Sequence, residues 1–132
     1  HPTEIKTTLA AVAQSWPNRR KVVVFQPHRY TRTQCLFDEF TRAFYECDRL
    51  VVLPIYAASE PPIDGVDSQK LADQIRAHGH RDVSYMDSFE MCAAALAESL
   101  ESGDLLLTLG AGDVYRIGEN LIGALQGESQ KA

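Results

Sequence analysis

The sequence predicts an α/β fold, a three-layer sandwich built around a mostly parallel sheet. Three observations carry that reading. Four short apolar runs stand near residues 22–26, 50–55, 83–86 and 105–109, each bounded by polar, Gly or Pro residues. Helical stretches lie between them, and strands separated in this way pair in parallel through right-handed crossovers. Val22-Val23-Val24-Phe25 and Leu50-Val51-Val52-Leu53 are continuously apolar, as strands covered on both faces are.

The elements follow in order. His1-Pro2-Thr3-Glu4 opens a helix, with Pro in the first turn, where its missing N–H costs nothing. Its buried stripe is Ile5, Leu9, Val12, Ala13 and Trp16, and Pro17-Asn18 ends it. Val22–Phe25 is the first strand, and Pro27 stops it because it has no N–H to give to a ladder. A second helix carries Leu36, Phe37, Phe40, Ala43, Phe44 and Cys47 at helical spacing. After the strand at Leu50–Leu53, a long loop runs from Pro54 to Asp67. Ser68 caps a short helix bearing Leu71, Ala72 and Ile75, closed by Gly79. Val83–Met86 is a weak strand. Ser88 caps a helix with the stripe Phe89, Cys92, Ala93, Leu96, Ala97, Leu100, broken by Gly103. The last strand, Leu105–Leu109, turns at Gly110-Ala111-Gly112-Asp113 into a helix with Val114, Ile117, Leu121 and Leu125. Residues 1–126 read as one domain of Rossmann-like type, and 127–132 as a frayed polar tail. A helix on such a sheet usually follows a strand, so the opening helix raises the expectation that N-terminal strands of a parent domain are missing. A sheet side bared in that way is expected to recruit a neighbour, giving a non-native dimer.

Composition narrows the function. At 132 residues with a net charge of −5, the chain supports one core and argues against a nucleic-acid surface. No apolar stretch approaches a membrane span, and no signal-peptide pattern opens the chain. Cys35, Cys47 and Cys92 are an odd set without metal-ligand spacing, and they read as thiols in a reducing compartment, the cytoplasm. His78 and His80 flank Gly79 at a helix end, where a dipole contact or solvent exposure is the reading and a metal pair is not.

Ligands of open α/β sheets bind at the carboxyl ends of the strands, which singles out residues 26–32, 54–66 and 110–113. Gln26-Pro27-His28-Arg29-Tyr30-Thr31-Arg32 concentrates the chemistry. Arg29 and Arg32, three apart, project on one side of a first helical turn. Guanidinium forks suit a carboxylate or phosphate, and His28 titrates near neutrality. The alternative is a surface turn with solvated arginines. Gly110 and Gly112 expose backbone N–H groups at a helix start. Asp113 reads first as the N-cap there and second as a partner for an ammonium. Tyr56 and Glu60, polar side chains in a proline-rich loop, are possible substrate-binding residues, whose plain reading is solvation. The glycines do not form the dinucleotide fingerprint, and no nucleophile elbow, acid–base dyad or phosphate-cradling loop is present.

The runs His1-Pro2-Thr3-Glu4, Phe25–Thr33 with Leu36-Phe37-Asp38, Ile55-Tyr56-Ala57-Ala58 with Glu60, Pro62-Ile63 and Gly65, and Gly110-Ala111-Gly112-Asp113 resemble the C-terminal domain of the Mur ligases. The likeness is strongest to the branch that joins L-alanine to UDP-N-acetylmuramic acid. The murein-tripeptide recycling branch is similar in the His-Pro-Thr opening but carries another run in place of Gln26–Arg32. The resemblance implies a three-domain, ATP-dependent enzyme of peptidoglycan precursor synthesis. ATP phosphorylates the muramic carboxylate, and the alanine amine attacks the acyl phosphate. It implies that an absent central domain holds ATP and Mg2+, and that an N-terminal domain holds the UDP-sugar. It implies no catalytic residue or metal site in this stretch alone, which is expected to be inactive by itself. Arg29 and Arg32 are then the carboxylate clamp, His28 a hydrogen-bond partner of that carboxylate or of an acyl-phosphate oxygen, Asp113 the ammonium acceptor, and Tyr30 a packing element. The family pattern continues just before His1, so a role for His1 is open. A rival reading is a stand-alone Rossmann-like module that binds an anion or nucleotide for regulation.

Overall fold

The computed structural model describes residues 1–110, 113–119 and 121. Its centre is a four-stranded sheet in the order β3-β2-β1-β4, with every pairing parallel. The strands are β1 (Lys21–Gln26), β2 (Arg49–Val52), β3 (Val83–Tyr85) and β4 (Leu105–Gly110). β1 lies in the middle, paired from Val22↔Arg49 to Phe25↔Val52 on one side and from Lys21↔Leu105 to Gln26↔Gly110 on the other. Its six residues are all buried, because period-two alternation sends Val23 and Phe25 to one face and Val22 and Val24 to the other.

Each face is covered. Helices α1 (Pro2–Ser15), α2 (Tyr30–Cys35), α3 (Phe37–Phe40) and α4 (Ser68–Ala77) lie on the first, where Ile5, Leu9, Phe40, Phe44, Leu71 and Ile75 surround Phe25 and Val52. Phe25 meets Phe40 and Phe44 at centroid distances of 5.4 and 5.1 Å in tilted geometry, which rings prefer to face-to-face stacking. Helix α5 (Phe89–Ser99) covers the second face with Cys92 and Leu96, joined by Val114, Ile117 and Leu121. Residues 115–119 are helical. The chain thus steps from β1 to β2 to β3 with helices on one face, then returns across the sheet to β4 with α5 on the other.

The structure departs from sequence expectation in several places. The helix after β1 divides at Leu36 (φ −107°, ψ 14°) into α2 and α3. Beyond Phe40 the chain runs on in three-residue turns, through Ala43 N to Phe40 O and Cys47 N to Phe44 O. The apolar stripe still reaches the core, since Phe40, Ala43, Phe44 and Cys47 are all buried. β2 is shorter than expected, although Leu53 N still donates to Phe25 O before Pro54 removes the next donor. The stripe of α1 fades along its length, leaving Trp16 46% exposed.

His80 is neither solvated nor a dipole contact. It is 6% exposed, with Nε2 2.9 Å from Cys47 O and Nδ1 accepting from Asp82 N at 3.2 Å. Since Nδ1 accepts, Nε2 carries the proton and donates to the carbonyl. The imidazole therefore satisfies two backbone groups below β2 and β3. Cys47 lies beside it, its thiol pushed up to about 12, first by burial, and Cys92 is likewise raised to about 11 by burial. Both are core thiols, whereas Cys35 is exposed.

Among the described residues no helix is long and apolar enough to cross a membrane.

Candidate functional site

After β1 the chain leaves toward the α1–α4 face; after β4 it leaves toward the α5 face. Connections that part in opposite directions open a crevice at the strand ends, the usual ligand position in such sheets. A cleft of about 250 Å3 lies there. His1, Glu4, His28 and Arg32 bring polar side chains to it, and Phe25 and Phe40 apolar ones. Gln26 and Gly110 close it at the ends of β1 and β4.

Gly110 makes that closure possible. Its φ is +115°, and a Cβ built on it would lie 2.0 Å from Gln26 O. Only the absence of a side chain lets β4 come this near β1 at this register. Gln26 is itself 7% exposed, with Nε2 donating to Pro54 O at 3.1 Å. Its Oε1 is buried with no hydrogen-bond partner among the described residues, an acceptor that sequence reasoning did not single out.

The basic turn is held from beside and below. Tyr56 N donates to Pro27 O at 2.9 Å and Arg29 N to Tyr56 O at 2.8 Å, a parallel bridge between His28 and Tyr56. The Tyr56 ring stacks on His28, with centroids 5.9 Å apart and planes at 27°. Below, the buried Thr33 gives both N and Oγ to Arg29 O, at 3.1 and 2.7 Å. Between these anchors Arg29 adopts φ 68°, ψ 143°, near a region that glycine all but monopolises and that costs other residues on the order of 1–3 kcal/mol. Such strain persists only where surrounding contacts over-determine it, and it concentrates at functional sites.

Arg32 Nη1 lies 3.4 Å from His28 Nδ1. A guanidinium cannot accept, so Nδ1 is the acceptor and Nε2 holds the proton. The burial of His28, then the charges of Arg32 and Arg29, hold its basicity below the ordinary histidine value; Glu60 opposes them weakly. The imidazole is thus a neutral donor beside a fixed cation.

The candidate residues divide as follows. His1, His28, Arg32 and Gly110 meet in the cleft. Arg29 does not line it; it shares with Arg32 an adjacent groove of about 380 Å3 along α2. Tyr30 is half-buried at the start of α2. Tyr56, expected in solvated loop, is 45% exposed but stacked on His28. Glu60, also expected to be solvated, caps α2 through Thr31. Asp113 stands just before the helical residues 115–119, its carboxylate 3.7 Å from Arg116 Nη1, and it does not line the cleft. The carboxylate that does is Glu4, which the sequence showed only as part of the run that opens α1. His1 caps α1, with Nδ1 accepting from Thr3 N at 3.2 Å. Gly112 lies outside the described residues. The larger cavity, about 450 Å3 beside Gln34, Phe37, Val66 and Lys70, contains none of these candidates.

Comparison with known proteins identifies the family and the fold. Residues 1–112 match the family described as Mur ligase, glutamate ligase domain. The chain is 66% identical over 122 residues to a UDP-N-acetylmuramate–L-alanine ligase of Desulforapulum autotrophicum, covering 92% of this chain and 27% of that protein. It is 48% identical over 126 residues to the protein of the same name in Geobacter sulfurreducens, covering 96% and 27%. The chain thus spans about a quarter of the length of these relatives. Two solved structures share the fold at 18% identity, each over 95% of this chain. One is a murein peptide ligase of Psychrobacter arcticus, with a TM-score of 0.74 over 25% of its own chain. The other is a domain ascribed to a UDP-N-acetylmuramate:L-alanyl-gamma-D-glutamyl-meso-diaminopimelate ligase of Haemophilus ducreyi, with a TM-score of 0.67 over 84%. With the family match running from the opening helix through the basic turn to the end of β4, this chain belongs to the Mur ligase family, in its glutamate ligase domain.

Proposed function

We propose that this chain is the amino-acid-binding C-terminal domain of an ATP-dependent ligase that joins L-alanine to UDP-N-acetylmuramic acid in cytoplasmic peptidoglycan precursor synthesis. The observation that carries the reading is the cleft at the ends of β1 and β4, where Arg32, neutral His28 and Glu4 converge. Cation and carboxylate on one small cleft suit an amino-acid zwitterion. The names of the relatives at 66% and 65% identity supply the substrate pair.

The chemistry assigned to this domain is binding and orientation. Arg32, with Arg29 on its flank, holds the α-carboxylate of alanine. Glu4 faces the ammonium, the part earlier assigned to Asp113. Held at both ends, and once the ammonium has passed a proton to Glu4 or to solvent, the amine is aimed at the muramic acyl phosphate, a gain in proximity that a freely diffusing amine lacks. His28 Nε2–H donates to the alanine carboxylate or to an oxygen of the acyl phosphate. As the amine adds to the acyl carbon, the oxyanion of the tetrahedral species comes under the field of the arginines. Collapse forms the amide and expels phosphate.

ATP and Mg2+ belong to the central domain in this reading. Among the described residues no three His, Cys, Asp or Glu side chains gather to hold a metal, and no phosphate-cradling loop occurs in the sequence. No step assigned to this domain runs through the metal.

The test is phosphate release by the full-length protein with ATP, UDP-N-acetylmuramic acid and L-alanine. The expected result is release that requires all three. Release driven instead by murein tripeptide, or tight nucleotide binding by this domain alone, favours the recycling ligase or the regulatory module and overturns the proposal.

A further inference from the structure

The loop after β2 is fastened to the basic turn at a second point beyond Tyr56. Glu60 Oε1 accepts from Thr31 N at 3.1 Å, and Glu60 Oε2 accepts from Thr31 Oγ at 2.6 Å. Thr31 sits between Arg29 and Arg32 in sequence, at the first turn of α2. To bring Glu60 there, the chain passes through Ala58 and Ser59 with φ of 50° and 71°. Adjacent non-glycine residues in the left-handed region need contacts that hold them, and Glu60 N donating to Ala57 O at 3.0 Å closes the turn. Both ends of the Arg29 segment are therefore tied to one loop, by the Tyr56 backbone on one side and the Glu60 carboxylate on the other.

We propose that Glu60 and Thr31 form a clasp that positions Arg29 and Arg32 for the amino-acid carboxylate, and that Glu60 is a positioning residue that does not touch the substrate. The inference rests on the reading of the cleft given above. Each Glu60 oxygen already accepts from Thr31, and Glu60 does not line the cleft. Its carboxyl is held below the ordinary carboxylate range, first by the hydrogen bond from the Thr31 hydroxyl, so the clasp is ionised at neutral pH. The bond to Thr31 N supplies an acceptor that α2 lacks at its own N-terminus, where Arg29 offers no side-chain cap.

The test uses the full-length ligase. Glu60→Ala raises the KM for L-alanine about tenfold by loosening the arginine geometry, while the KM values for ATP and the UDP-sugar stay fixed. Glu60→Gln keeps an oxygen for Thr31 N and stays within about threefold of wild type. Thr31→Val gives part of the effect, and Thr31→Val with Glu60→Ala is no worse than Glu60→Ala alone, because the pair acts as one device. A lowered melting temperature with an unmoved KM for L-alanine overturns the proposal. So does Glu60→Gln as damaging as Glu60→Ala, which makes the charge rather than the clasp the operative feature. If Glu60→Ala does not fold, Thr31→Val carries the test with the same readouts. Arg32→Ala is the control. If it leaves the KM for L-alanine unchanged, the reading of the cleft falls; if it raises that KM while the clasp variants do not, only the clasp falls.

Discussion

Gly110 lies so close to Gln26 that a Cβ placed on it would stand 2.0 Å from the Gln26 carbonyl oxygen and 2.9 Å from its carbonyl carbon. Gly110→Ala must push β4 from β1 or break their register, and it also forces alanine to φ +115°. The expected loss of stability is roughly 3 kcal/mol or more, from steric clash and backbone strain together. Urea unfolding of the domain measures it, and a loss below about 1 kcal/mol contradicts the close approach.

Arg29 offers the opposite case. Its backbone sits at φ 68°, ψ 143°, a conformation that glycine adopts freely and alanine does not. Arg29→Gly and Arg29→Ala delete the same guanidinium. The glycine variant is expected to be the more stable by about 1 kcal/mol, despite the greater freedom of its unfolded chain. An alanine variant equal to or more stable than the glycine variant shows that the strain is not there.

The depressed basicity of His28 has a stability consequence with a definite sign. Burial, then Arg32 and Arg29, lower its folded value beneath the ordinary 6.5. Below 6.5 the unfolded chain takes up a proton that folded His28 still refuses, so the unfolded state gains. The contribution of His28 is full above 6.5 and is lost as pH falls from there through the folded value. Denaturant midpoints from pH 8 to 5 for wild type and His28→Gln check this. The wild type loses more on acidification than the variant, and parallel curves contradict it.

Much of this fold was legible in the sequence because its signals were local. The runs Val22–Phe25 and Leu50–Leu53 read as strands covered on both faces, and Cys92 with Leu96 marked the inner side of α5. The basic turn was legible as a strand-to-helix junction with two arginines. Illegible was anything set by contacts distant in sequence. Glu60 reads as an acid among prolines until the loop brings it to Thr31, 29 residues away. His80 reads as a surface histidine until Cys47, 33 residues away, presents its carbonyl. Glu4 and Arg32 share a cleft only because α1 packs beside β1 on the same face as α2 and α3. Asp113 pairs locally, its carboxylate 3.7 Å from Arg116 Nη1 one turn on.

The central claim, that the turn after β1 holds the carboxylate of the incoming amino acid, is tested most directly by the steady-state kinetics of Arg32→Ala in the full-length ligase with L-alanine varied. Arg32 is the arginine that lines the cleft beside His28. Loss of a charge-assisted contact in a closed site costs about 2–4 kcal/mol. The account therefore predicts a fall in kcat/KM for L-alanine of about 30- to 1000-fold, with KM raised and the KM for ATP unchanged. Arg32→Lys recovers only part, because an ammonium cannot make the guanidinium fork. KM and kcat for L-alanine within about threefold of wild type in Arg32→Ala would contradict the claim and place the amino-acid site elsewhere.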